Sequence, residues 1–346
     1  MASFHNFLIR GYLLILKCFH LINMSRNFKP FIKMDLKGKY LVLNSKKCYK
    51  FFMRSFKYGI VAIIGRPNVG KSTLMNRILG QKVAIVSERP QTTRTTVRGI
   101  LTREDAQVVY LDTAGFHKPK DRLGNAMVKS ARIASGTADL IYLMVDSREL
   151  PDEEKALINL MPSFHLPVFL VINKVDRVKK EELLPLIDTY RNLYSFQEII
   201  PVSALKGDNV DVLVNTTIEH LQPGEKQFPE DILSDQIERT FIAEFIREKV
   251  YLFTYQEVPF STAVEIEEVR DAEAKPLYVS ARILVERESQ KGIIVGKGGQ
   301  MIKKIGKAAR EEIEGFMGKK AFLDLRVKVE KDWRKDERVL RRLGYS

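Results

Sequence analysis

Residues Gly65–Ser72 read G-R-P-N-V-G-K-S directly behind the apolar run Tyr58–Ile64, and that junction dictates the local architecture. Ile60, Val61, Ala62, Ile63 and Ile64 have the composition of a buried strand, and Ser72–Leu79 has helical periodicity ended by Gly80. A glycine-rich turn between strand and helix lets successive N–H groups and the helix N-terminus face an anion. The frame G-x-x-x-x-G-K-S adds Lys71 for the outer phosphates of a nucleotide and Ser72 for Mg2+. A chance turn explains the glycines but not the Lys-Ser pair in that position. The octapeptide, extended by Thr73, predicts a nucleoside triphosphate site in an α/β sheet.

From Tyr58 to about Leu221 strand-like and helical patterns alternate, which predicts a mostly parallel sheet with helices on both faces. The expected strands are Tyr58–Ile64, Thr96–Leu101, Gln107–Asp112, Leu140–Asp146, Val168–Asn173 and Glu198–Val202. Every further motif lies at the C-terminal end of one of them, where open α/β sheets bind ligands. Asp112-Thr113-Ala114-Gly115 ends the third. Asp112 is placed to serve Mg2+ through a water, and Gly115 to bring its N–H to the γ-phosphate.

Asn173-Lys174-Val175-Asp176 ends the fifth strand. A carboxylate at Asp176 accepts from the ring N–H and 2-amino group of guanine, whereas adenine would leave it buried and unpaired. Asn173 would support the loop, the Lys174 stem would lie along the ring, and Ser203-Ala204-Leu205 would offer N–H groups to the guanine oxygen. Between the first two motifs, Gln91-Thr92-Thr93-Arg94 has no regular periodicity and suits a switch that orders when a γ-phosphate is present. Thr93 is the expected Mg2+ ligand there, with Thr92 as the alternative. Position alone supports this, since an inert loop would have the same composition.

Phe116 follows the DTAG motif. Ras-type GTPases carry at that point a glutamine that orients the attacking water, and a phenyl ring cannot do so. Slow intrinsic turnover follows, unless another switch residue, a partner or a monovalent cation such as K+ supplies the missing group. Asn68 is a conceivable ligand for that cation and equally a plain loop residue.

The formal charge of +14 suggests a polyanionic partner, but its distribution is uneven. Residues 1–57 hold 12 Lys/Arg and one acid, Asp35, leaving 45 Lys/Arg against 42 acids in the rest. Both cysteines, Cys18 and Cys48, also lie in this extension without metal spacing, so a disulfide scaffold or zinc site is disfavoured and a reducing compartment is expected. Its apolar run 11–24 is interrupted by Lys17 and His20 and is short for a membrane span. Two readings fit residues 1–57: an extension upstream of a start at Met53 or Met34, or an acid-poor organellar transit peptide. The first fits better, because the folded pattern begins abruptly at Tyr58.

Residues 223–234 read as a linker, and 234–253 as a helix with its apolar face at Ile237, Phe241, Ile242, Phe245, Ile246 and Val250. Two alternating runs, Ser261–Val269 and Leu277–Glu286, read as paired strands, and Ala321–Glu330 as a last strand. Between them, Gly296-Lys297-Gly298-Gly299 joins two short helical segments tightly enough for a nucleic-acid backbone to approach. Lys291, Lys297, Lys303 and Lys304 would neutralise phosphates, with Gly292 and Ile294 lining the groove beside the turn. A dinucleotide fingerprint fails here, because the turn follows a helical pattern and lacks the later glycine.

Taken together, GRPNVGKS, PQTTR, DTAGFHKPK, NKVD and SAL, followed by an α-β-β-α-α-β pattern holding IIVGKGGQMIKKIG, resemble the Era-type GTPases over Tyr58–Trp333. The resemblance implies an α/β P-loop GTPase domain over 58–222 and an α+β type II KH domain over 235–333, with 334–346 a basic tail. It further implies a monomer that hydrolyses GTP with Mg2+, binds small-subunit ribosomal RNA near its 3′ end and assists ribosome assembly. A cytoplasmic location, with peripheral association at the inner face of the cell membrane, is implied too. The basic extension departs from that pattern and leaves an organellar location open. Gly65, Arg66, Pro67, Asn68, Val69 and Gly70 would wrap the phosphates, Val175 completes the base loop, and Lys71, Thr93, Asp112 and Gly115 would serve the chemistry. An RNA-modifying GTPase would call for a reactive cysteine, and 58–346 has none. A passive RNA scaffold holding nucleotide remains the other reading.

Overall fold

The computed structural model describes residues 55–86, 96–115, 136–148, 150–230, 232–234, 238–273 and 275–345, with the backbone of 32–34 and 40–42. Met1–Ser55 is a unit of its own, within which β1 (Ile32–Met34) pairs antiparallel with β2 (Tyr40–Val42). Phe56–Ser346 is the second unit and contains every motif discussed above.

Its first half is a six-stranded sheet in the order β4-β5-β3-β6-β7-β8. The strands are β3 (Lys57–Ile64), β4 (Val97–Thr102), β5 (Ala106–Asp112), β6 (Leu140–Asp146), β7 (Val168–Asn173) and β8 (Glu198–Pro201). Only the β4–β5 pair is antiparallel. Strands β5, β6 and β7 are buried throughout, which is why they read as continuous apolar runs instead of alternating ones.

Successive side chains on a strand point to opposite faces, and both faces are covered. Val61, Ile63, Tyr142 and Met144 pack with Leu74 and Met75 of α1 (Lys71–Leu79) and Leu213 and Val214 of α4 (Val210–His220). Their neighbours Ala62, Ile64, Ile141 and Leu143 pack instead with Leu157 and Ile158 of α2 (Asp152–Leu160) and Tyr190 of α3 (Lys180–Leu193). This is the α/β P-loop arrangement expected from the alternation.

The second half runs α5 (Glu238–Phe253), β9 (Ala263–Arg270), β10 (Leu277–Val285), α6 (Glu288–Val295), α7 (Gln300–Met317) and β11 (Ala321–Val329). The central strand β10 is antiparallel to β9 and parallel to β11. An α-β-β-α-α-β order with that mixed sheet is the type II KH fold. Ser234, expected to open α5, is not helical; the described helix begins at Glu238.

Two stretches differ from their expected character. The linker is not a free tether. Gln107, fully buried on β5, accepts from the N–H groups of Gln227 (2.9 Å) and Phe228 (3.0 Å). Its amide donates to the Phe228 carbonyl and to Thr102 Oγ1, both at 2.9 Å. Phe228 and Ile232 pack on Ile100, Val109 and Leu111, and the Ile100 N–H donates to Leu233 O across the open side of β4. The second stretch is the expected tail 334–346, whose described residues, 334–345, form a folded cap. Within it, α8 (Glu337–Arg342) is capped by Asp336 and buries Val339, Leu340 and Tyr345 with Trp333 against Ala263 and Leu284. Trp333 Nε1 donates to Ser261 O at 2.8 Å, and Arg342 pairs with Glu265 at 2.8 Å. The basic residues are simply the outer face of a short amphipathic helix.

Gln107 thus makes four hydrogen bonds from one buried side chain. Gln107→Leu should cost about 2–4 kcal/mol, since it leaves two N–H groups of the strap without acceptors. Urea unfolding measures the cost.

Candidate functional site

At the end of β3 the chain turns through Asn68 (φ 64°) and Gly70 (φ 102°) into α1. Gly70 is required twice over: its φ is left-handed, and a Cβ there would lie 2.3 Å from Asn173 Nδ2. That amide donates to Val69 O at 2.7 Å and fixes the loop from the end of β7, two strands away. Lys71, almost wholly buried, donates from Nζ to the carbonyls of Gly65 (3.1 Å) and Arg66 (3.0 Å). Burial brings its pKa down to about 8 against the opposing pull of Asp112, so it remains a cation at neutral pH.

Ser72 Oγ donates to Asp112 Oδ2 at 2.5 Å, which places the P-loop hydroxyl and the strand-end carboxylate side by side. One hydroxyl and one carboxylate fit Mg2+, a hard ion that takes few protein ligands and completes its shell with phosphate oxygens and water. Thr113 Oγ1 donates to Ile63 O at 2.8 Å, which holds the DTAG stretch on β3. A Cβ on Gly115 would fall 2.7 Å from Pro67 N, so this motif lies directly against the phosphate loop. Gln91, Thr92, Thr93, Arg94 and Phe116 lie outside the described residues.

The NKVD loop is built from the ends of β7 and β8. Asn173 accepts from the Ala204 N–H at 2.9 Å, while Ser203 Oγ donates to Asp176 Oδ1 at 2.6 Å. The Ser203 hydroxyl is the main cause holding the Asp176 carboxyl below its usual range. Lys174 stands at φ 66° and donates from Nζ to Asn68 O at 2.7 Å, so base loop and phosphate loop are bonded to each other. Arg77 of α1 donates to the carbonyls of Ala204 (3.2 Å) and of the exposed Leu205.

Two supports escaped the sequence reading. Asp146, at the end of β6, accepts from Lys174 Nζ at 2.8 Å and from Arg148 Nε and a second guanidinium nitrogen at 2.9 Å. Burial pushes its carboxyl up, but Arg148 and Lys174 outweigh this and hold it well below the usual range. Its position at a strand end facing the motifs was the available signal. Glu154 of α2 accepts from Arg66 Nε at 2.9 Å and Tyr190 Oη at 2.7 Å, and buttresses the phosphate loop from behind. Burial raises its pKa, against the hydrogen bonds from Tyr190 and Arg66. Nothing in the sequence distinguished it from Asp152 and Glu153 in the same helical turn.

The second candidate surface is the turn between α6 and α7. Gly296 (φ 71°), Gly298 (φ 57°) and Gly299 (φ 76°) are all left-handed, and a Cβ on Gly296 would meet Met301 Cβ at 2.7 Å. Lys297 and Lys303 are exposed, and Gly292 faces open space. Lys291 lies 3.8 Å from Glu288 in a loose pair along α6. Lys304 is turned toward α5, with its ammonium 4.4 Å from the Phe253 ring centroid. Ile294 is not a groove residue: it is fully buried in the core, one turn from buried Gln290, and the exposed neighbour is Ile293.

The depressed carboxyl of Asp146 yields a signed pH effect. Its folded pKa lies below the unfolded value, about 3.9, so its stabilising contribution is complete above that value and is lost as pH falls through the folded one. Asp146→Asn should therefore destabilise the protein by about 1–3 kcal/mol at pH 7, with the difference from the unaltered chain shrinking below about pH 4. Denaturant midpoints measured from pH 7 to pH 3 test this.

Known proteins resemble this chain over both halves of its fold. Residues 60–174 match the family described as 50S ribosome-binding GTPase, and residues 257–334 match the KH domain family. GTPase Era of Geobacter metallireducens is 50% identical over 293 residues, covering 84% of this chain and 98% of that protein. A variant of Aquifex aeolicus Era, crystallised with GDP and AlF4−, is 43% identical with a TM-score of 0.81, covering 84% of this chain and all of that one. An Era structure in complex with MgGDPNP and nucleotides 1506–1542 of 16S ribosomal RNA is 44% identical, also with a TM-score of 0.81, covering 84% and 99%. With both halves of the fold and the order of its motifs accounted for, this chain belongs to the Era family of GTPases.

Proposed function

We propose that this protein is a GTP-hydrolysing switch that binds small-subunit ribosomal RNA near its 3′ end and assists maturation of the small ribosomal subunit. The observation that carries the reading is the conjunction, in one compact unit, of an NKVD loop bonded to a phosphate loop and a basic G-x-x-G turn. The RNA assignment draws on the relative solved with a 16S fragment, which favours the small subunit over the large one named by the matched family.

In this reading the N–H groups of the phosphate loop and the Lys71 ammonium hold the β- and γ-phosphates, and the Gly115 N–H meets the γ-phosphate. Ser72, and Asp112 through a water, would hold Mg2+ with Thr93 as a further ligand, and the ion would supply charge neutralisation of the phosphates. Asp176, kept ionised by Ser203, accepts from the guanine ring N–H and 2-amino group, while Asn173 holds the base and phosphate loops in register. Adenine has no donors at those positions and leaves a carboxylate unpaired.

None of these groups activates water, and Phe116 follows the DTAG stretch. Unassisted turnover is therefore slow, and the accelerating group comes from the RNA-bound state or from K+ near Asn68. Lys297 and Lys303 neutralise RNA phosphates at the G-x-x-G turn, and unstacked bases lie beside it. In this reading the protein is a monomer of the cytoplasm, peripheral at the inner face of the cell membrane, with an organellar location the alternative if residues 1–57 act as a transit peptide.

GTP turnover should rise at least several-fold when RNA ending in the small-subunit 3′ tail is added. Lys71→Ala should abolish both the basal and the stimulated rate. Gly298→Asp, which places a negative charge at a left-handed position that aspartate tolerates, should weaken RNA binding at least tenfold while leaving basal turnover intact. Tight RNA binding with no change in turnover would favour the passive scaffold.

A further inference from the structure

Lys82 lies just past α1, in the turn by which the chain leaves the phosphate-loop helix. Its ammonium is held by two carboxylates from the KH half of the molecule: Glu248 of α5, at 2.7 Å, and Glu312 of α7. Lys249 of α5 closes the cluster, pairing with Glu248 at 2.9 Å and with Glu312. Through its other oxygen Glu248 also accepts the backbone N–H of Val86 at 3.1 Å. The turn is fixed to α1 in its own right. Asn76 donates to Ala84 O at 2.7 Å and accepts from the N–H groups of Val83 (3.0 Å) and Ala84 (2.9 Å). A continuous run of polar contacts thus joins α7, which begins at the G-x-x-G turn, to α1, which begins at Lys71 and Ser72.

The charges in this cluster balance, two carboxylates against two ammonium groups, but three of the four belong to the KH half. Only Lys82 crosses. Burial would push the Glu248 carboxyl up, yet Lys82 and Lys249 outweigh it and keep it ionised. The Glu248, Lys249 and Glu312 side chains are 9%, 14% and 18% exposed, so solvent screens the pairs among them less than an ordinary surface pair, while Lys82, at 37%, closes the cluster on its solvent side. Without Lys82, Glu248 and Glu312 would share one ammonium and face each other with excess negative charge. A relative movement of α7 and α1 would part these pairs, so a ligand that favours such a movement works against them.

We infer that Lys82 is a positioning residue that ties the RNA-contacting helix α7 to the phosphate-loop helix α1, so that the nucleotide bound at Lys71 and the RNA bound at the G-x-x-G turn alter each other's affinity. This rests on the switch reading given above and adds to it the residue through which the two sites act. Plain interdomain adhesion would make the same contacts but would move stability, not the dependence of one ligand on the other. Coupling between sites is reciprocal, so one factor must appear in both affinities.

The test uses the full chain and an RNA matching the 3′-terminal segment of small-subunit ribosomal RNA. RNA dissociation constants are measured with GDP and with a non-hydrolysable GTP analogue, and analogue affinity is measured with and without RNA. The unaltered chain should show a ratio of about tenfold, within the usual range of site–site coupling. Lys82→Met should bring both ratios to within twofold of unity while basal turnover and affinity for GDP stay unchanged, and Lys82→Arg should restore them. If Lys82→Met does not fold, Glu312→Gln cuts the same tie from the α7 side. A ratio that survives in the Met or Gln variant, or that Arg fails to restore, overturns the inference alone. A ratio of one in the unaltered chain overturns the switch reading and this inference together.

Discussion

The side-chain amide of Asn173 is the contact on which the nucleotide site depends. Its nitrogen donates to Val69 O in the phosphate loop, and its oxygen accepts from the Ala204 N–H beyond β8. One residue at the end of β7 therefore sets the distance between the phosphate loop, the base loop and the SAL stretch. It is buried, so its hydrogen bonds have no competition from water, and losing either partner would leave a polar atom stranded. Gly70 is the complement of this amide, because any side chain there would occupy the space of the nitrogen. Lys174 repeats the link one residue later, reaching Asn68 O with its ammonium while its own position is held by Asp146.

The same economy appears in the second half. The strap 223–234 reaches α5 only after binding to Gln107 and covering part of β4, and the C-terminal cap closes over Ala263 and Leu284. Ala114 of the DTAG stretch belongs to that same apolar cluster, together with Trp333 and Tyr345. Among the described residues, the first half meets the KH half in an apolar contact at Ala114 and in an ionic one at Lys82. Ala114 adjoins Gly115 directly, whereas Lys82 is separated from Lys71 and Ser72 by the length of α1.

Much of this was legible in the sequence, for identifiable reasons. The strands β5, β6 and β7 announced themselves as apolar runs, β5 and β7 each ending in a motif, and the structure places them within one residue of the expected bounds. Lys71, Ser72, Asp112, Asn173 and Asp176 were found because their chemistry needs a residue type at a fixed spacing from a strand. What could not be read was anything decided by packing alone. Glu154 and Asp146 look like surface acids until tertiary structure brings Arg66 and Lys174 to them. Gln107 appears as an ordinary polar residue in a strand, yet it holds the strap. The C-terminal residues look like a charged tail because Val339, Leu340 and Tyr345 are few against five Lys/Arg, and only the folded sheet, through Leu284 and Ala263, gives them something to cover. Ile294 and Ile293 exchange roles because a helix of eight residues offers too little periodicity to tell its faces apart.

The central claim is that Asp176, aimed by Ser203 and framed by Asn173, selects guanine. The most direct measurement compares GTP and xanthosine triphosphate binding by the unaltered chain and by Asp176→Asn. An amide in place of the carboxylate donates to the 2-oxo group of xanthine but cannot accept both guanine protons. GTP affinity should fall by about two orders of magnitude, and xanthosine triphosphate affinity should rise by a comparable factor. GTP binding unchanged in the variant would contradict the assignment of this pocket.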